Sequence, residues 1–319
     1  MPLPSYAQIH STYSIVAIDH EAGCLGGAVQ THQMSVGARI PVVEPGIGVV
    51  NSQSAMNQMF PDIAITMLRQ GVSVQKVVDA LIASDEGAAY RQLAVLASDG
   101  SVAAYSGERC IREFGHFVGE GYSVQANMMT RTTVVDAMRA AFESAPGDLA
   151  QRMLAALQAA EAEAGDIRGM QSACVRVMPN DAKALPWQAL YDLRVDDHPH
   201  PVEELARLVR MRHAQHTDQA GHRALRDGRL SEALDAWSAA RKEAPELEEL
   251  GFWQAAALAD RNPKADSIAI AAAILRESVL QDELAEQWID LIRRIEENGM
   301  LEREGAADEL ITAIAKSTP

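Results

Sequence analysis

Cysteine is scarce in this sequence. The 319 residues hold three, Cys24, Cys110 and Cys174. An odd, sparse set without C-x-x-C spacing excludes a disulfide framework and a cysteine-built zinc site. Positive charge is also short. Lys and Arg number 28 against 44 Asp and Glu, a formal net charge of -16. No basic footprint is left for nonspecific nucleic-acid binding. No run of 18 apolar residues exists, so no membrane span is expected. The start, Met-Pro-Leu-Pro-Ser-Tyr-Ala-Gln-Ile-His-Ser, lacks a basic stretch and an apolar core. It does not read as a secretory signal, and the cytoplasm is the expected location.

What is present is an ordinary globular composition, 48% apolar, long enough for two domains. The organising stretch is Thr12 to Gln30. Tyr13 to Ile18 is β-branched and apolar, Asp19 to Gly23 is turn chemistry, and Leu25 to Val29 is a second apolar run. Together they predict a β-hairpin opened by Thr12. A hydroxyl near a chain start matters chemically, because a freed α-amine can serve as its general base.

The chain then alternates between strand pairs and helices. Ile40–Val43 and Ile47–Val50 read as short strands, followed by the polar cluster Asn51-Ser52-Gln53-Ser54. A helix is predicted from Pro61, interrupted at Gly71. Asp99-Gly100 predicts a hairpin joining Gln92–Ala97 to Val102–Tyr105. Tyr122–Asn127 and Ser172–Met178 read as strands, and Thr133–Glu143 and Asp148–Ala164 as helices. Strands in runs and helices in runs imply an α+β domain with antiparallel sheets. From about residue 215 every apolar segment is helical and Ala-rich. Residues 215–319 carry 12 Lys and Arg against 21 Asp and Glu, a net of -9. The expected domains are residues 1–213 and 214–319. A short helix is expected through Arg212, then a linker with solvated His213, His216 and His222.

Several segments together resemble the DUF1028 family. They are Thr12-Tyr-Ser-Ile-Val-Ala, Gly27-Ala-Val-Gln30, Ser35-Val-Gly37, Gly119-Glu-Gly-Tyr-Ser-Val-Gln-Ala-Asn127, Gly165-Asp-Ile-Arg-Gly-Met-Gln-Ser-Ala173 and Asp192-Leu-Arg-Val-Asp-Asp-His-Pro199. The resemblance covers roughly residues 10–213. That family is grouped with the N-terminal nucleophile (Ntn) hydrolases. What this implies is an αββα four-layer sandwich and an amide-cleaving Thr, Ser or Cys at the start of the first strand, here Thr12. The eleven residues before Thr12 would then have to be removed to free its amine. Otherwise His10 or His32 would have to act as base. The tail, Ala220 to Ala240 followed by Pro245, resembles a tetratricopeptide unit, with Trp237 in the bulky slot.

Other candidates are read from residue type. Gln30, Asn51, Gln53, Gln125 and Asn127 are amides in or beside apolar strands, so they need buried partners or line a polar pocket. Gln125 or Asn127 could donate to an oxyanion, and the others could bind substrate. Asp166 and Arg168, in a glycine-bounded loop, form either a structural ion pair or a carboxylate clamp. Cys24 and Cys174 read as small core residues. Asp196-Asp197-His198 is a weak metal pattern, because neighbours on a strand point to opposite faces. No metal and no cofactor are expected. The expected activity is hydrolysis of a small amide or peptide-derived substrate by Thr12. The alternative is a non-catalytic scaffold that holds a ligand and recruits a protein partner through residues 214–319. Homo-oligomerisation is expected by analogy.

Overall fold

A computed structural model of the chain describes residues 9–316, apart from Ser11, Pro263 and Asp282. Of the segment whose removal the sequence suggests, only the Ile9–His10 backbone lies among the described residues. The chain divides into two compact units, Met1–Val209 and Arg210–Pro319.

The first unit is mixed α and β, and its sheets are antiparallel. Its strands are β1 (Ile9–His10), β2 (Thr12–Asp19), β3 (Cys24–Thr31), β4 (Val42–Glu44), β5 (Gly48–Ala55), β6 (Arg91–Ala97), β7 (Val102–Ser106), β8 (Gly115–Gly119), β9 (Tyr122–Asn127), β10 (Ser172–Pro179) and β11 (Tyr191–Val195). One sheet runs β1-β5-β6-β7 with β4 beside β5. The other runs β11-β10-β3-β2-β9-β8. The expected hairpin is β2–β3, turning at Asp19 to Cys24. Its strands are central, because both flanks find partners: β9 pairs with β2 and β10 with β3.

Helices α1 (Phe60–Arg69) and α2 (Val74–Ala83) cover the first sheet, where Phe60, Ile65, Val77 and Leu81 meet Val50, Leu93 and Val95. Helices α3 (Val134–Ser144) and α4 (Leu149–Ala162) cover the second, packing Met138, Phe142, Met153 and Leu157 on Tyr13, Ile15, Val124 and Val175. Helix α4 starts where the Asp148 side chain accepts from the Gln151 N–H and the Gln151 side chain accepts from the Asp148 N–H, both at 3.0 Å. Such a reciprocal cap satisfies two otherwise orphaned donors. The remaining sheet faces pack on each other: Val16, Ile18, Leu25 and Met178 against Val43, Val49, Ala94 and Leu96. Gly26 shows how closely β3 and β10 approach. A Cβ there would lie 2.3 Å from the Arg176 carbonyl oxygen.

Helix α5 (Pro201–Arg226) corrects one expectation. It runs unbroken through the supposed linker. Gly221 is only a weak breaker, costing about 1 kcal/mol relative to Ala. The buried Ala214, Ala224 and Leu225 hold the helix. His213 and His222 are accordingly partly buried and partnered rather than free in a linker: His213 Nδ1 lies 2.8 Å from Glu243 Oε1, and His222 packs edge-on against Trp237.

The second unit is all-helical among the described residues. It contains α6 (Leu230–Glu243), α7 (Glu248–Arg261), α8 (Ala265–Ser278), α9 (Ala285–Glu297) and α10 (Ala306–Lys316). Its core is built from Trp237, Phe252, Leu258, Ile268, Leu275 and Leu310.

Candidate active site

Thr12 is the first residue of β2 and sits opposite Asn127 of β9. Residues alternate faces along a strand. Tyr13, Ile15 and Ala17 therefore face the helices, while Thr12, Ser14 and Val16 face the other sheet. Thr12 is fully buried.

A network of side-chain amides surrounds it on the inter-sheet face. The Thr12 carbonyl accepts from Gln53 Nε2 of β5 and from Asn127 Nδ2 of β9, each at 3.3 Å. One carbonyl is thus held from both sheets. The Gln53 Oε1 accepts from Ser14 Oγ at 2.6 Å, and Ser14 Oγ accepts from Gln125 Nε2 at 2.6 Å. Ser123 Oγ donates to Gln125 Oε1 at 3.0 Å. At the centre is Gln92 of β6. Its Oε1 accepts from Gln53 Nε2 at 2.7 Å and from Asn127 Nδ2 at 3.0 Å. Its Nε2 donates to Ser106 Oγ, and to the Gly115 and Ala126 carbonyls. Ser106 Oγ lies 2.9 Å from His116 Nδ1, which extends the network to β8. In a low-dielectric interior such a network is stiff when each member is satisfied.

The backbone beside the network is strained. Ser54 follows Gln53 with φ 64°, and Met128 follows Asn127 with φ 58°. Non-glycine residues in this left-handed region cost of order 1–3 kcal/mol each and cluster at functional sites. In each case the left-handed residue immediately follows an amide that clamps Thr12.

A small cavity opens beside Thr12, bounded by Thr31, Gln33, Met34, Val36, Arg39, Ile40 and Met56. Its volume is about 10 Å³, at the threshold for one water molecule.

The structure brings Thr12, Gln53, Gln125 and Asn127 together. Asn51 lies opposite Ala94, on the same face as Gln53, fully buried, and neither of its amide atoms has a partner among the described residues. Gln30 does not join this group. It pairs with Tyr13 and Ala173, so it faces the helices, on the opposite side of the sheet from Thr12. Its amide atoms also lack partners among the described residues. On that side the Tyr13 hydroxyl donates to Glu161. Burial first, then the neighbouring Glu161 charge, pushes the Tyr13 hydroxyl well above its ordinary value.

Asp166 and Arg168 form the ion pair. Arg168 Nη2 lies 2.9 Å from Asp166 Oδ2, and Asp166 is buried. Asp166 Oδ2 also accepts from the His32 N–H at 3.1 Å. Its loop ties the end of β3 to the segment after β9, where Thr130 N–H donates to the Gly165 carbonyl at 2.8 Å. The loop therefore braces β3 and the end of β9, the two strands that flank β2.

The cysteines are poor nucleophiles. Burial pushes the Cys24 and Cys174 thiols up to about 12, and the thiolate is the reactive form. Among the described residues no group of His, Cys, Asp and Glu could hold a metal ion. No described helix is long and apolar enough to cross a membrane.

Gln92, Ser14 and Ser106 are members that sequence reading missed. A polar residue in an apolar strand run, as in Gln92-Leu-Ala-Val-Leu-Ala, was the available signal.

A family model described as "Family of unknown function (DUF1028)" matches residues 12–205. Its first matched residue is Thr12. A crystal structure of protein SPO2555 from Silicibacter pomeroyi, itself described as DUF1028, is similar at 31% identity. The match covers 62% of this chain and 88% of that one, with a TM-score of 0.56. A comparison with curated proteins finds no match.

Proposed function

From the premise that the chain belongs to the DUF1028 family, we propose that its first unit is an Ntn-type amidohydrolase with Thr12 as nucleophile. The observation that carries this reading is the two-sheet amide clamp on the Thr12 carbonyl. A strand-opening hydroxyl residue is fixed from both sides, next to strained backbone, at the edge of a cavity. Helix layers outside two facing sheets also support the sandwich of that superfamily. We read the helical unit as tetratricopeptide-like. A Cβ at Gly221 would lie 2.4 Å from Trp237 Cδ1, the small-against-large contact that such a repeat requires.

In the reaction, the freed Thr12 amine accepts the proton of its own hydroxyl. The hydroxyl oxygen then attacks an amide carbonyl, the amine leaves with a proton, and water releases the acyl group. No cofactor takes part. Both N–H groups of Asn127 and of Gln53 are engaged by protein acceptors. These residues therefore act by positioning Thr12, and oxyanion donors come from elsewhere. The cavity has room for no more than about one water molecule, so in this reading the Met34–Arg39 segment moves to admit substrate. A cytoplasmic, self-associating protein that recruits a partner through its helical unit completes the reading.

The test is an amide-substrate screen with wild type, Thr12→Ser and Thr12→Ala. The serine variant retains part of the activity, and the alanine variant loses about a thousandfold or more. Full activity in Thr12→Ala would remove the mechanism.

A further inference from the structure

The helical unit contains a cavity of about 280 Å³ where the end of α6, the start of α7 and the end of α8 meet. Its lining is unusual in charge. Arg241, Lys242, Glu248 and Glu277 line it together with Ser238 and Ser278, so two positive and two negative groups face one space. A lone anion or cation would leave one pair uncompensated.

These charges are not spent on each other in ion pairs among the described residues, whereas neighbouring charges are. Arg210 pairs with Glu246, His213 with Glu243, and Arg229 with Asp227 and Glu232.

Arg241 is also built in from behind. Its guanidinium donates to Gln254 Oε1. Gln254 is fully buried, and its Nε2 donates to the buried Asp218 at 2.7 Å. Asp218 lies 3.5 Å from His222 Nε2, and its carbonyl accepts from Trp237 Nε1 at 3.3 Å. One of the five guanidinium N–H donors is thus anchored into the core, on a side chain that also lines the cavity. Such support from behind is what fixes a recognition group in place. Partial burial pushes the Arg241 guanidinium below its ordinary value, so a carboxylate partner would be welcome.

We propose that this cavity binds a free α-amino acid, its carboxylate on Arg241 and Lys242 and its ammonium on Glu277 and Glu248. The volume lies just under the ~300–1,000 Å³ of drug-sized ligand sites and suits a smaller molecule. The site belongs to the helical unit and is independent of Thr12.

The experiment is isothermal titration of the full chain with L-alanine and L-glutamine. N-acetyl-L-alanine and L-alaninamide serve as probes with one charge each. Both amino acids should bind, and each single-charge probe at least tenfold more weakly. Glu277→Gln, at an exposed position, should weaken amino-acid binding at least tenfold while the melting temperature stays unchanged. Arg241→Gln should abolish binding. Thr12→Ala should bind as wild type does, which separates this site from the proposed catalytic one. No binding up to about 10 mM, equally tight binding of N-acetyl-L-alanine or L-alaninamide, or unchanged affinity in Glu277→Gln would each overturn the proposal.

Discussion

Replacing Gln92 by Met tests the buried amide network directly. Met is close to Gln in size and unbranched, so little cavity is created and the change isolates hydrogen bonding. In the wild type, Gln92 Oε1 accepts from Gln53 and Asn127. Removing that oxygen orphans one N–H on each of two fully buried amides. A buried donor without a partner costs about 1–3 kcal/mol, so the pair costs about 2–6 kcal/mol. The lost donations to Ser106, Gly115 and Ala126 weigh less, since carbonyl oxygens tolerate a missing partner better. The assay is amide hydrogen exchange followed by mass spectrometry. At about 1.4 kcal/mol per tenfold, amides of β5, β6 and β9 that exchange by opening of the first unit should speed up roughly 30-fold or more. Amides of α6 to α8, in the second unit, provide the internal reference and should be unchanged. An acceleration under about fivefold in β5 and β9 for Gln92→Met would refute the claim that Gln92 holds this network together.

Two further expectations concern the sheets and their helices. Gly26→Ala drives a Cβ against the Arg176 carbonyl and Val177 Cα of β10. Backbone cannot yield as a side-chain end can, so a loss of about 2 kcal/mol and a fall of about 4–8 °C in the first unit's melting temperature follow. A calorimetric shift below 1 °C would contradict that packing. Glu161 has its carboxyl raised above the ordinary value of 4.5, chiefly by burial and further by Asp166, with the Tyr13 hydrogen bond opposing. A raised carboxyl binds its proton more tightly in the fold. Its contribution is therefore fully present at acid pH and is lost as pH climbs from the ordinary value through the folded one. Glu161→Gln should flatten that decline in denaturant-unfolding curves; an unaltered pH slope would count against it.

The sequence was most informative where a signal is local. The β2–β3 hairpin follows from turn residues between two apolar runs, and α4 begins at the Asp148 and Gln151 pair that closes its cap. The candidate amides Gln30, Asn51, Gln53, Gln125 and Asn127 are all fully buried, as amides embedded in apolar strands suggest. What sequence could not supply was partnership across distance. Gln53 reaches Thr12 over 41 positions, and Asn127 over 115. Nor could it assign faces: Gln30 and Asn51 are the same kind of residue in the same kind of strand, yet only Asn51 shares the Thr12 side. Strand β8, with Gly at both ends and alternating exposure, carries too little apolar pattern to be recognised alone. Its pairing with β9 creates it. The unbroken α5 was hidden for the converse reason. Tertiary burial of Ala214, Ala224 and Leu225 outweighs the weak break at Gly221.

The most direct test of the central claim is the N-terminus itself. Intact mass and N-terminal sequencing should be carried out on purified wild type and on Thr12→Ala. The account predicts that wild type begins at Thr12, its amine free to act as base, while Thr12→Ala keeps residues 1–11. A wild-type protein that retains residues 1–11 would contradict it, because Thr12 would then have no free amine to act as base.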